Sequence, residues 1–264
     1  AMSIAGHIKE SIEKSSWIRK MFEEGIKLKA QFGHENVYDF SLGNPDLDPP
    51  EKFFEVLKDF AHKAAKGAHG YMPNAGFPSV CRAIAARVSA EEGVQVPEKN
   101  IIMTCGAAGG LNTVLKAILN PGDEVIVSKP YFVEYNFYIT NHNGVPRLVD
   151  TTPDFSLDID SIHKAISPKT RAVLVNSPNN PTGRVYPEQQ IKELAAVLEG
   201  FRKKGQIIYL VSDEPYREIV YDNVKVPGIL CNYSQSIVVN SYSKSLSIPG
   251  ERIGFIAANP ACDY

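Results

Sequence analysis

The chain has 264 residues, 44% hydrophobic and 22% charged, with a formal net charge of −2 at pH 7. That balance fits a soluble globular protein with a sizeable core, and the lack of any long Lys or Arg run argues against nucleic acid or an anionic membrane as partner. No stretch approaches the roughly 18 apolar residues of a membrane span, and AMSIAGHIKESIEK lacks a signal peptide's apolar centre, so small polar metabolites and a cytoplasmic location are expected.

In chain order, Trp17, Ile18, Met21, Phe22 and Ile26 recur among charges near helical spacing, predicting an amphipathic N-terminal helix over 10–30. SLGNPDLDPP, 41–50, reads as a connection into a helix near Glu51–Lys66, with a domain boundary there. GYMPNAGFPSV, 70–80, is a second Gly/Pro-rich loop, followed by the helical run CRAIAARVSAEEG. From residue 100 the short apolar runs IIMT, EVIVS, AVLVN, IIYLVS and SIVVNS predict buried strands of a largely parallel sheet. LNTVLKAIL and EQQIKELAAVLEGFRKK supply helical crossovers. Cys81, Cys105, Cys231 and Cys262 form no CxxC, and the six histidines form no HExxH, which points to reduced thiols and no protein-ligated metal.

Ligands of open α/β sheets bind outside the carboxyl ends of the strands, so chemistry is sought in the residues after each run. CGAAGGLN after IIMT opens a helix whose free N–H groups suit an anion, although its glycines miss the GxGxxG spacing and tight packing explains them equally well. KPYFVEY after EVIVS places Phe132 where it could stack on a flat ring or join the core. SPNNPTG after AVLVN holds Asn180 in a proline-stiffened loop, or is simply an Asn-Pro turn. DEPY after IIYLVS puts Asp213 at the end of an apolar strand, where a carboxylate calls for a positive partner; taken alone, a helix cap or structural ion pair is the simpler reading. Tyr216 brings a phenol nearby. SYSKSLSIPGERIG after SIVVNS offers Ser241, Ser243, Lys244 and, beyond the Pro249-Gly250 turn, Arg252, whose guanidinium matches a phosphate. Together these groups are the complement of pyridoxal phosphate, which pairs a Schiff-base lysine with an aspartate on the pyridinium nitrogen.

From about residue 37 onward the sequence resembles the class I/II aminotransferases of pyridoxal phosphate (PLP) fold type I, the aspartate aminotransferase-like group. NSPNNPTG at 176–183, DEPY at 213–216 and SYSKSLSIPGERIG at 241–254 carry that resemblance through their order and separation. It implies a three-layer α/β/α fold with a mostly parallel sheet. Residues 49–264 would be the large cofactor-binding domain, with 1–48 an arm and helix of a small domain. By the same resemblance Lys244 is the Schiff-base lysine and proton shuttle of a ping-pong aminotransferase (EC 2.6.1.-). Asp213 pairs with the pyridine nitrogen, Tyr216 and Asn180 bond the phenolic oxygen, and Phe132 stacks on the ring. Arg252, Ser241 and the backbone of Ala107 and Ala108 grip the phosphate. YMPNAG matches a loop whose tyrosine reaches a neighbouring subunit's phosphate, so Tyr71 implies a homodimer with shared sites. LGNPD matches a segment beside the substrate carboxylate, which implies Gly43 there, with Asn180 also on the substrate side. Two departures stand out: Glu251 replaces a usually apolar residue, and nothing matches the arginine that grips the substrate α-carboxylate. The rest of the small domain is therefore expected to lie beyond this chain.

Other readings share these residues in part. A β C-S lyase of the same fold uses every cofactor residue named, and a non-catalytic PLP-binding domain uses most of them. A nicotinamide dehydrogenase would account for GAAGG but not for Lys244, Asp213 and Arg252.

Overall fold

The computed structural model describes residues 4–40, 43–63 and 65–262, with the side chains of 7, 10–20 and 22 outside the description. The chain divides into two compact units between Asp46 and Leu47. In the first, α1 (Gly6–Phe32) ends at Gly33, whose N–H donates to the Lys29 carbonyl at 3.1 Å. Lys29 also reaches Asp39, at 2.8 Å. Met21 and Ile26, two members of the predicted apolar stripe, are more than half exposed, while Trp17, Ile18 and Phe22 fall outside the described side chains.

The second unit begins with α2 (Glu51–Lys63) and α3 (Pro78–Glu92). Then come β1 (Ile101–Cys105), α4 (Gly106–Ile118), β2 (Glu124–Lys129), α5 (Tyr135–Thr140), β3 (Val145–Asp150) and α6 (Ile159–Ala165). The unit continues with β4 (Thr170–Asn176), α7 (Glu188–Arg202), β5 (Tyr209–Asp213), β6 (Ser236–Ser241) and β7 (Ile253–Ala258). The strands form one sheet in the order β1-β7-β6-β5-β4-β2-β3. β7 pairs antiparallel with both its neighbours, and the remaining pairs are parallel.

Strand periodicity divides the core between the two faces. Val125, Val127, Leu174, Val211 and Val239 pack with Leu111, Leu115 and Ile139 of α4 and α5. Ile126, Val173, Val175, Leu210 and Val238 pack with Ile84, Ile162, Leu194 and Leu198 of α3, α6 and α7. The result is the α/β/α sandwich with a mostly parallel sheet that the family resemblance implies, each fully buried aliphatic side chain adding about 1.5–3 kcal/mol. Two strands escaped sequence reading. VPRLVD is an edge strand with a proline and mostly exposed side chains, so it lacks an apolar run. IGFIAA, by contrast, is buried but follows a Pro-Gly turn, and its antiparallel direction appears only in the pairing.

Candidate active site

Six of the seven strands run in the same direction, so Cys105, Lys129, Asn176, Asp213 and Ser241, the last residues of five of them, all end on one edge. Because β7 is reversed, it starts at that edge, with Ile253 opposite Cys105 and Gly254 opposite Ser241. Topology alone therefore brings together residues more than a hundred positions apart.

At the centre is Asp213, 5% exposed. Its Oδ2 accepts a 2.6 Å hydrogen bond from Tyr135, a fully buried tyrosine of α5. Its Oδ1 is buried with no hydrogen-bond partner among the described residues. Burial raises the carboxyl from 3.8 to about 6, and the Tyr135 hydroxyl opposes that rise. Asp213 thus serves as neither cap nor ion-pair partner among the described residues, contrary to the simpler reading of the strand end. Such an oxygen is a vacant acceptor for a cationic N–H.

Asn176, opposite Asp213 in the β4–β5 register, donates through Nδ2 to the Asp213 carbonyl at 2.8 Å. Its Oδ1 accepts from the Asn180 backbone N–H at 2.6 Å, fastening the 177–181 loop to the sheet edge. From that loop the Asn180 carboxamide donates to the Tyr216 hydroxyl at 3.3 Å. Burial and the nearby Asp213 hold the Tyr216 phenol above its ordinary pKa, so it remains an O–H donor at neutral pH. A cleft of about 480 Å³ opens beside the pair, lined by Pro181, Val185, Ile219 and Tyr221 among others.

On the other side, α4 begins directly after β1 with Gly106, Ala107 and Ala108, presenting free N–H groups of a 13-residue helix. The Arg252 guanidinium lies against Gly106: a Cβ built there would sit 2.7 Å from Nη2. Arg252 itself adopts a left-handed backbone, φ 55°, and donates to the Pro249 carbonyl at 2.8 Å. Gly254 permits the approach of the two elements, because a Cβ there would lie 2.6 Å from the Gly106 carbonyl carbon and 2.7 Å from the Asn240 carbonyl oxygen. Helix N-terminus and guanidinium side by side are an arrangement that suits an anion. Ser241 is buried at the end of β6, its N–H accepted by Asn240 Oδ1 at 2.6 Å. Lys244 follows in the turn after β6, where burial lowers its ammonium pKa below the ordinary lysine value. Phe132 meets Tyr135 edge to face, ring centroids 5.6 Å apart.

The chain is similar to known proteins. The family model for aminotransferase class I and II matches residues 35–263. The chain belongs to that family. A probable aspartate/prephenate aminotransferase of Thermus aquaticus is 40% identical over 221 residues, covering 81% of this chain and 55% of the relative. A probable aspartate aminotransferase of Methanocaldococcus jannaschii is 31% identical, covering 93% and 61%. Among solved structures, an amino transferase from Eubacterium rectale superposes with a TM-score of 0.93 at 38% identity, covering 99% of this chain and 67% of that one. The Thermus thermophilus aspartate aminotransferase with maleate gives 0.84 at 32%, covering 97% and 65%. The chain spans about 55–61% of the length of these two curated relatives.

Two predicted site residues of this class I/II family member come from segments that precede β1. Tyr71 is fully exposed on the 70–77 loop and takes no part in its own chain's cluster. Gly43 belongs to the first unit, where a Cβ would meet nothing within 4 Å beyond its chain neighbours. Sequence reading overlooked Tyr135 and Asn176. Tyr135, three residues after Phe132, could have been flagged as an aromatic whose hydroxyl needs a buried partner. Asn176 looked like part of the strand it ends. Among the described residues no group of three or more His, Cys, Asp or Glu is placed to hold a metal, and no helix is long and apolar enough to cross a membrane.

Proposed function

We propose that the complete protein is a PLP-dependent aminotransferase that moves an amino group between an L-amino acid and a 2-oxo acid in two alternating half-reactions. The observation that carries this reading is Asp213 Oδ1, a buried carboxylate oxygen without a donor, on the same sheet edge as Lys244, the Asn180–Tyr216 pair and the Arg252 anion seat. The residues fit the cofactor group by group: a ring N–H for Asp213, a ring oxygen for Tyr216 and Asn180, a phosphate for Arg252, Ser241 and the Ala107 and Ala108 N–H groups. Phe132 is the candidate for stacking on the ring.

When bound, PLP supplies an aldehyde that links to amines and a protonated ring that draws electron density from the substrate Cα. Lys244 is the residue for covalent attachment. Its burial-lowered pKa increases the neutral fraction of the amine, which suits it to take a proton from Cα and return it when the cofactor is not attached to it. A cationic nitrogen at Asp213 Oδ1 would bring that carboxyl back below its present value of about 6, so the ion pair holds at neutral pH. The tyrosine hydroxyl of residue 216 and the Asn180 amide position the ring oxygen and share its charge.

Gly43, within residues 1–48 of a small domain, and Asn180, within residues 49–264 of the large domain, are both assigned to substrate binding. Full exposure of Tyr71 supports its assignment to a neighbouring subunit's phosphate in a homodimer. Free cysteines at 81, 105 and 231 suit a reducing cytoplasm. The relatives' names include aspartate, prephenate and aromatic amino acids, which supports amino acids and 2-oxo acids as the substrate class.

Borohydride reduction after incubation with PLP should leave a pyridoxyl mass on the Lys244 peptide. Lys244→Ala should lose both that mass and, in the complete protein, turnover by several orders of magnitude. A labelled peptide elsewhere, or near-normal activity of the variant, would end the assignment.

A further inference from the structure

Behind the site lies a buried ionic cluster that the proposed reaction does not use. Alternation along β5 points Asp213 toward Tyr135, while Ser212 and Glu214 face the opposite side. There Arg217 is 9% exposed, Glu92 3% and Glu214 1%. Arg217 Nη1 pairs with Glu214 Oε2 at 2.8 Å and donates to the Pro227 carbonyl at 3.2 Å. Its Nη2 pairs with Glu92 Oε1 at 3.1 Å and donates to the carbonyls of Glu91 at 3.2 Å and Val226 at 3.4 Å. Glu91 Oε2 is 3.8 Å from Nε. The carboxylates are held in turn: Glu214 Oε1 accepts from Ser212 Oγ at 2.8 Å, and Glu92 Oε2 accepts from the N–H groups of Ile229 and Leu230 at 2.6 and 2.8 Å. One guanidinium thus ties together the end of α3, the end of β5 and the 226–230 segment.

The turn that carries Tyr216 is closed by this cluster. Arg217 N–H donates to the Glu214 carbonyl at 3.2 Å, and Ile219 N–H to the Tyr216 carbonyl at 2.8 Å. Tyr216 therefore projects from a turn whose residues on either side, 214 and 217, are pinned to each other and to α3. Two carboxylates facing one buried cation cannot both ionise cheaply, and burial together with their mutual repulsion pushes Glu214 well above the ordinary carboxyl range. The same cost makes the cluster expensive as a mere staple, since apolar packing would close the turn as well.

We propose that Arg217 is a positioning residue for Tyr216: through Glu214 and Glu92 it fixes the turn from which the phenol meets Asn180 and the cofactor's ring oxygen. The inference rests on the cofactor reading above. Donation from Tyr216 to that oxygen stabilises the more negative, deprotonated form of lysine-attached PLP, which lowers the pH midpoint of its visible absorbance. Tyr216→Phe should raise the midpoint by about one unit, tenfold in the proton equilibrium. Arg217→Lys keeps the charge but loses the fork; it should raise the midpoint by about half a unit, roughly threefold, and add nothing in the Tyr216→Phe background. Glu92→Gln, which keeps an acceptor for Ile229 and Leu230, should give a smaller rise of the same sign and likewise none in that background. It decides the matter if Arg217→Lys does not fold by circular dichroism. Midpoints equal to wild type in these variants, or a rise that persists without the Tyr216 hydroxyl, overturn the positioning role. If the complete wild-type protein forms no lysine-attached chromophore, the cofactor reading itself falls, which is a separate result.

Discussion

Removing the Tyr135 hydroxyl tests the electrostatics of the site without touching any residue expected to contact substrate. In the folded chain Asp213 titrates at about 6 instead of 3.8, so the native state holds its proton more tightly than the unfolded state. The group's contribution to stability therefore declines as pH rises from 3.8 through 6, and the ionised carboxylate destabilises the unliganded fold by ~3 kcal/mol above that window. The 2.6 Å Tyr135 bond limits this cost. A charge-assisted bond of this kind is worth ~1.5–3 kcal/mol against ~1 kcal/mol for the bond to the neutral carboxyl, so Tyr135→Phe should move the Asp213 midpoint up by about half a unit to one and a half units, to roughly 6.5–7.5. Near pH 9 the variant should be less stable than wild type by ~1.5–3 kcal/mol, narrowing below pH 5 to the ~1 kcal/mol of a neutral hydrogen bond. Urea unfolding across pH measures the stability difference. The carboxyl infrared band, assigned by its loss in Asp213→Asn, measures the midpoint. An unchanged midpoint in Tyr135→Phe would refute the claim that this hydroxyl sustains the carboxylate.

The anion seat and the packing beneath it can be tested in the same way. Arg252→Gln should weaken PLP binding by about tenfold to a hundredfold, the loss of one charge-assisted phosphate contact, in a fluorescence titration; an unchanged dissociation constant would remove Arg252 from the seat. Gly254→Ala should lower stability by ~1–3 kcal/mol, because its Cβ would strike backbone atoms of Gly106 and Asn240 that cannot swing aside. Gly200→Ala, in α7 with open space around the added methyl, should instead gain up to ~1 kcal/mol from helix propensity. Thermal unfolding of the two variants checks both signs, and equal shifts would refute the contact argument.

Sequence alone settled the parts of this protein that are local. Apolar runs of strand length separated by helical stretches imposed a layered α/β core, because the alternation that buries Val125 with Val127 on one face and Ile126 on the other is a property of the chain. Motifs confined to a few residues, SPNNPTG, DEPY and SYSKSLSIPGERIG, placed the functional groups at strand ends before any pairing was known. What tertiary structure decided is which strand lies beside which. The reversed β7 brings Arg252 back to Gly106, the edge strand β3 is visible only through its pairing with β2, and the β4–β5 register sets Asn176 opposite Asp213. Tyr135 and Arg217 could not be matched to their partners for a related reason. A tyrosine in an aromatic stretch and an arginine after DEPY have many possible partners in sequence. Their roles depend on a carboxylate 78 positions away in one case and a glutamate from another helix in the other, brought within hydrogen-bond reach by the packed sheet. Burial then gives those contacts their meaning, since away from water a carboxylate must find a donor, and which donor it finds is decided by the fold.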